Sequence, residues 1–99
     1  IVLTEEQKKK MAEYEKKSEE IFRRRFEREA DRIISKVYNK NTMAASESKF
    51  MAASQKAMEE LNSAQEEIAS QTAMPSAKSR LIASQIIDKI TNAKKKEIK

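Results

Sequence analysis

Small and apolar positions recur through the first third of the chain at Met11, Tyr14, Ser18, Phe22, Phe26, Ala30, Ile33 and Val37. Steps of three and four residues are the period of one helix face, and they predict a helix over about residues 4–38. Thr4-Glu5-Glu6-Gln7 supplies its start: a threonine N-cap with glutamine three residues later forms a capping box, and acids in the first turn suit the helix dipole. Nothing breaks the pattern before Asn39-Lys40-Asn41-Thr42. The mean step of about 3.7 residues drifts toward a right-handed winding. A helix of this length extends for roughly 50 Å, more than a compact chain of 99 residues requires.

A second stripe runs through Phe50, Ser54, Ala57, Leu61, Ala64, Ile68 and Gln71, alternating steps of four and three. This heptad seam predicts a helix over about 44–72, with Met51 and Met58 beside the seam as adaptable filler. Thr42 and Ser46 both qualify as its cap. Met74-Pro75-Ser76 is the strongest punctuation, because proline disfavours helix in the residue before it and suits the first turn of the next. A third helix is predicted over about 76–93, with Leu81, Ile82, Ile86, Ile87 and Ile90 on one side and a basic tail, 94–99, that frays. Residues 39–45 hold neither Gly nor Pro, so a turn and a kink in one very long helix both remain open there.

The fold class that follows is all-α: one domain over 1–99, built as a long helical hairpin or a three-helix bundle with coiled-coil-like packing. Composition adds a constraint. Ile, Leu, Val and Phe number 18 of 99 residues, below the ~20% that a self-sufficient core usually needs. Thirteen alanines contribute little buried area. A chain this small also buries only about 60–65% of its unfolded surface. The core is therefore expected to be completed by a homo- or hetero-oligomer or by another protein partner. Met11, Tyr14, Phe22, Phe26, Ile33, Val37, Phe50, Leu61, Ile68, Leu81, Ile86 and Ile90 are the residues expected to carry that packing.

The same inventory narrows the chemistry. The chain has no His, Cys, Trp or Gly, and a single proline. Without His or Cys the common general base, nucleophile and metal ligand are missing, so no catalytic, cofactor-binding or metal site is expected and the chain is read as not an enzyme. Without Gly there is no phosphate-cradling loop and little means of making β-hairpins. The carboxylate pairs Glu19-Glu20, Glu59-Glu60 and Glu66-Glu67 read as solvated helix surface rather than cation sites. No apolar run approaches the ~20 residues of a membrane span, which favours a soluble, cytoplasmic chain. It opens on Ile-Val-Leu without an initiator Met, as a fragment or processed form would, and that opening is too brief for a signal peptide.

The formal net charge is +5, with the excess mostly C-terminal: residues 74–99 carry seven basic and two acidic side chains. Within Ile21-Phe22-Arg23-Arg24-Arg25-Phe26 the triple arginine is not one unit. At about 100° per residue, Arg24, Arg25, Arg28, Arg32 and Lys36 form a ribbon roughly opposite Phe22, Phe26, Ile33 and Val37, while Arg23 borders the apolar face. The ribbon admits two readings. One is surface ion pairing, as Glu20–Arg24, Arg25–Glu29 and the Glu19-Arg23-Glu27 row. The other is phosphate contact by Arg24, Arg25, Arg28, Arg32 and Lys36, together with Lys94, Lys95 and Lys96. Glu27, Glu29 and Asp31 stand close enough to repel a phosphate backbone, and no aromatics interleave for base stacking. The function expected first is that of a non-catalytic interaction or assembly protein: an adaptor subunit, scaffold or small chaperone. A nucleic-acid-binding accessory protein is the alternative. Docking of the amphipathic, basic third helix on a membrane surface is the least favoured, for want of Trp or Phe anchors there.

Overall fold

The computed structural model describes residues 2–98 and contains three long helices and one short one. These are α1 (Glu5–Ser35), α2 (Lys40–Met43), α3 (Glu47–Gln71) and α4 (Ser76–Ile98). The fold is all-α, and no strand occurs among the described residues. Ile1 and Lys99, the last residue of the expected tail, lie outside them.

Local chemistry sets each boundary. Thr4 caps α1 through the reciprocal box: Gln7 N–H donates to the Thr4 hydroxyl at 3.1 Å, and Thr4 N–H donates to the Gln7 side-chain carbonyl oxygen at 3.0 Å. At the other end α1 stops at Ser35, three residues before the predicted limit. Asn39 organises the stop from both sides. Its side-chain amide donates to the Ser35 and Lys36 carbonyls at 3.0 and 2.9 Å, and its Oδ1 accepts from Thr42 N–H at 2.9 Å, capping α2. Residues 36–46 are therefore a structured turn around a four-residue helix, and the side chain of Asn39 does what glycine usually does. Ser46, not Thr42, caps α3, accepting from Lys49 N–H at 3.3 Å.

The α3–α4 connection ends α3 in a Schellman motif. Met74 N–H reaches back to the Ala69 carbonyl at 2.9 Å and Ala73 N–H to that of Ser70 at 3.4 Å. The motif requires a left-handed residue after the cap, and Ala73 takes it with φ 56°. Met74 folds back as a buried side chain, the apolar contact typical of this turn. Helix α4 then begins after Pro75 and runs to Ile98, five residues beyond the predicted end, so Lys94, Lys95 and Lys96 lie on a helix rather than in a frayed tail.

Cross-helix contacts define the topology. Gln71 meets Arg25 and Glu60 meets Lys36, so α3 runs antiparallel to α1; Lys78 meets Glu19 and Lys94 meets Asp31, so α4 runs parallel to it. The core lies between residues 22–37, the second half of α1 with Val37 just after it, and the facing stripes of α3 and α4. Phe22 and Phe26, both fully buried, stack at 5.7 Å between ring centroids with planes 2° apart. Small residues share the core with them: Ala57 and Ala69 on α3, Ser79 and Ala83 on α4. Small side chains opposite the phenylalanines let the helix axes approach closely.

Two details of the predicted stripes change. On α3 the heptad seam is buried at Ala57, Leu61 and Ile68, joined by Gln65 and Ala69 one residue further round; Phe50, Ser54 and Ala64 are half-buried and Gln71 is exposed, bonded to Arg25. A straight helix drifts ~20° per heptad against a strict seven-residue repeat, which accounts for the slip. On α4 the buried face is Ser79, Ile82, Ala83, Ile86 and Ile90; Leu81 is 62% exposed and Ile87 half-buried. The face is centred between Ile82 and Ala83, and Leu81, about 100° back from Ile82, falls outside it. The face is held by a buried hydrogen bond in which the Gln65 amide donates to Ser79 Oγ at 2.6 Å, while that hydroxyl donates to the Ser76 carbonyl at 2.8 Å.

The result is a rod of 60 × 22 × 15 Å with a radius of gyration of 17.2 Å, against about 13 Å for a compact chain of this length. The excess comes from α1. Every side chain from Val2 to Lys17 is exposed, so the helical residues 5–17 project roughly 20 Å past the bundle.

Candidate protein-interaction surface

Of the twelve residues expected to pack on a partner, eight are consumed by the chain itself. Phe22, Phe26, Ile33, Val37, Leu61, Ile68, Ile86 and Ile90 are buried in the intramolecular core. Phe50 is half-buried, edge-on to Tyr38 at 6.1 Å between centroids. The remaining three are outside: Leu81 singly on the back of α4, and Met11 and Tyr14, 51% and 68% exposed, on the projecting part of α1.

Met11 and Tyr14 do not stand alone. Leu3 and Ile21 are also exposed, and Ser18 is half-buried. On the helical wheel Tyr14 and Ile21 stand roughly 80–100° from Phe22 and Met11 and Ser18 lie between, while Leu3 precedes the N-cap. The stripe that reads along the sequence as continuous from Met11 to Val37 thus divides in two. From Phe22 onward it turns into the core, while before it the apolar positions face solvent and continue to Ile21. Phe22, by matching the longer pattern, masks Ile21 beside it. The spacing of seven from Tyr14 is the signal that marks Ile21. Ile34, Gln65, Ser79 and Met74 are core residues that the stripes also missed.

A second apolar area lies at the opposite end of the rod. Tyr38, Met43, Phe50 and Ile98 line an open hollow with Lys95 at its edge, and Lys95 Nζ sits 5.7 Å from the Tyr38 ring centroid. Exposed Met51 and Met58 extend this area along α3. The contacts around Tyr38 explain why α4 remains helical to Ile98.

Four of the eight cations named as phosphate contacts are engaged by acids or an amide of the chain. Lys36 pairs with Glu60 at 3.7 Å, Lys94 with Asp31 at 3.2 Å, Arg32 with Glu29, and Arg25 donates to Gln71. The Glu29 carboxylate raises the Arg32 pKa above its ordinary value through this hydrogen bond. Arg24 and Arg28 hold no ion pair among the described residues, but they share their surface with Glu20, Glu27 and Asp31. The expected Glu20–Arg24 and Arg25–Glu29 pairs do not form. Glu19 accepts from Arg23 at 3.1 Å and also meets Lys78 of α4 at 3.5 Å. The Arg23 hydrogen bond is the main reason its carboxyl lies below the usual carboxylate pKa, with Lys78 adding to it. Of the carboxylate pairs, Glu19, Glu60 and Glu67 each engage a cation or an amide of the chain.

Comparison with protein-family models, characterised proteins and solved structures finds no match. No described helix is long and apolar enough to cross a membrane.

Proposed function

We propose that this chain is a non-catalytic assembly protein that works by presenting the projecting half of α1 to another helix. The observation that carries this reading is the exposed stripe of Met11, Tyr14 and Ile21, with Leu3 just before the cap, on a helix whose first thirteen residues are exposed throughout. A bundle with a closed core has no structural need of that segment. Apolar anchors spaced three and seven residues apart, as Met11, Tyr14 and Ile21 are, fall on one side of a helix, and such a side is a usual way for a helix to dock on another. The nucleic-acid alternative has less support, because four of its eight cations are bound to acids or an amide of the chain, Lys95 lies against Tyr38, and Arg24 and Arg28 sit among carboxylates.

Capture of partners from the native source by the chain and by its Tyr14→Lys variant tests the proposal. The substituted residue is solvent-facing, so circular dichroism should give the same helix content for both. Partners held by the stripe should be lost from the variant. An identical set on both would overturn the reading. A binding curve on duplex DNA with a steep salt dependence, near −0.9 per phosphate contact, would replace it with the alternative.

A further inference from the structure

We propose that the furrow between α3 and α4, at the α2 end of the rod, receives an amphipathic helix of another protein whose acidic end lies over Lys95. Met51, Met58 and Gln65 stand seven residues apart on one side of α3, the side turned toward α4. At Gln65 that side is closed by the bond to Ser79 of α4. At Met58 and Met51 it is open, and the two side chains are 52% and 62% exposed. The two helices therefore part toward α2. The gap is floored by Val37 and Tyr38 and walled by Ser54 and Met58 on one side and Ile87 and Thr91 on the other, around an apolar depression of about 100 Å³. It shares the Tyr38 wall with the open hollow of Met43, Phe50 and Ile98.

Shape and charge identify the occupant. From Phe50 to Leu61 on α3 the furrow is roughly 16 Å long, the length of three helical turns. Phe50, Ser54 and Met58 stand four apart, as do Ile87, Thr91 and Lys95, so both walls are ridges of the kind between which a further helix packs. Ser54 and Thr91 are small enough for a close approach, and the exposed methionines adapt to its anchors. An extended peptide finds no free backbone groups here, since those of α3 and α4 are spent within the helices. The segments that bound the hollow, 36–50 and 94–98, carry six lysines and two acids. Lys36 and Lys94 are taken by Glu60 and Asp31. Lys40, Lys49, Lys95 and Lys96 are exposed and hold no ion pair among the described residues. Further along, exposed Glu59 and Asp88 follow Met58 and Ile87, so the acids of the occupant are confined to the end over the lysines. This surface lies at the opposite end of the rod from the α1 stripe, and the two contacts stand or fall separately.

Two synthetic helical peptides with the same leucine stripe, one ending in glutamates and one in lysines, are titrated into the whole chain labelled at its methionine methyl groups. The glutamate peptide should bind at least about tenfold more tightly, shifting the signals of Met43, Met51 and Met58 while those of Met11 and Met74 stay in place. Lys95→Glu should weaken its binding about tenfold, and Met58→Lys, which puts a charge into the furrow, should abolish it. Lys9→Glu makes the same change of net charge on the projecting part of α1 and should leave the affinity unchanged. All three residues are exposed, so circular dichroism should give the parent helix content for each variant. No saturable binding up to about 1 mM, equal affinity for the two peptides, or equal weakening by Lys9→Glu overturns the proposal. Shifts confined to Met11 overturn it too, by placing the peptide on the α1 stripe. The same holds if concentrating the chain alone moves Met51 and Met58, which puts a second copy in the furrow, or if anionic vesicles move them and the peptide does not. None of these outcomes decides the Tyr14→Lys comparison, which tests the α1 stripe by itself.

Discussion

Ala73 is an alanine where the backbone asks for glycine. Its φ of 56° places it in the left-handed region, and the turn around it is fixed on both sides, by Met74 N–H to the Ala69 carbonyl and Ser79 N–H to the Pro75 carbonyl, each at 2.9 Å. The β-carbon of an L-residue costs about 1–2 kcal/mol in that conformation. Ala73→Gly removes the cost and gives back about 0.4–1 kcal/mol of the gain through the greater freedom of glycine in the unfolded chain. The net expectation is a gain of about 0.5–1 kcal/mol, from a substitution that deletes a methyl group. For a domain of this size that raises the melting temperature by about 2–8 °C, with a urea midpoint higher by roughly 0.5 M at unchanged slope. Ala52→Gly is the matched control. Ala52 is exposed within α3, where the same change costs about 1 kcal/mol. Thermal and urea unfolding followed by circular dichroism reads both. An Ala73→Gly protein that melts at or below the parent temperature would show that residue 73 is not held at positive φ, and the account of the α3–α4 turn would fail.

Two further expectations follow from the polar contacts. Ser79→Ala leaves the buried Gln65 amide without its acceptor and should cost about 1–3 kcal/mol; with Gln65→Leu in the same chain the loss should be smaller than the sum of the two single losses, a coupling that urea titration of all four proteins measures. Glu19 has a folded pKa below its unfolded value, owing first to Arg23 and then to Lys78, so its contribution is present above the unfolded carboxylate pKa and lost as pH falls through the folded one. Glu19→Gln should therefore melt below the parent at neutral pH and converge with it in acid, and a constant gap from neutral to strongly acid pH would contradict that assignment.

Much of the fold was legible in the pattern of positions. The 3–4 spacing located three long helices, Thr4 and Gln7 marked the first boundary, and Pro75 the last. Two kinds of feature were not legible. One is the choice between adjacent candidates: Ile21 or Phe22, Leu81 or Ile82. Local periodicity ranks these equally, and only packing against the other two helices decides. The other is the turns. The 39–45 segment has no glycine to mark a reversal, yet Asn39 binds carbonyls of the helix behind it and an N–H of the helix ahead. Asparagine is a common turn residue for that reason, but composition does not say which of Asn39 and Asn41 will act. The candidate surface was half legible. Met11 and Tyr14 were marked as packing residues, and their exposure could not be known without seeing that the α3 and α4 contacts begin only beyond residue 17.

That mismatch in length gives the projecting segment its physical character. A helix is costly to nucleate and cheap to extend, and the bundle has already nucleated α1 at the Phe22–Phe26 belt. Residues 5–17 extend it using mainly Lys, Glu, Gln, Met and Ala, all good helix formers, and the capping box closes the free end, where fraying would otherwise start. The segment is thus ordered without burying any side chain in a core, and little further backbone entropy is lost when another helix lies against it. The most deeply buried large apolar side chains, Phe22, Phe26 and Ile33, concentrate the core in a short belt. The apolar residues left over, at Leu3, Met11, Tyr14 and Ile21, lie outside that belt and remain exposed on this chain.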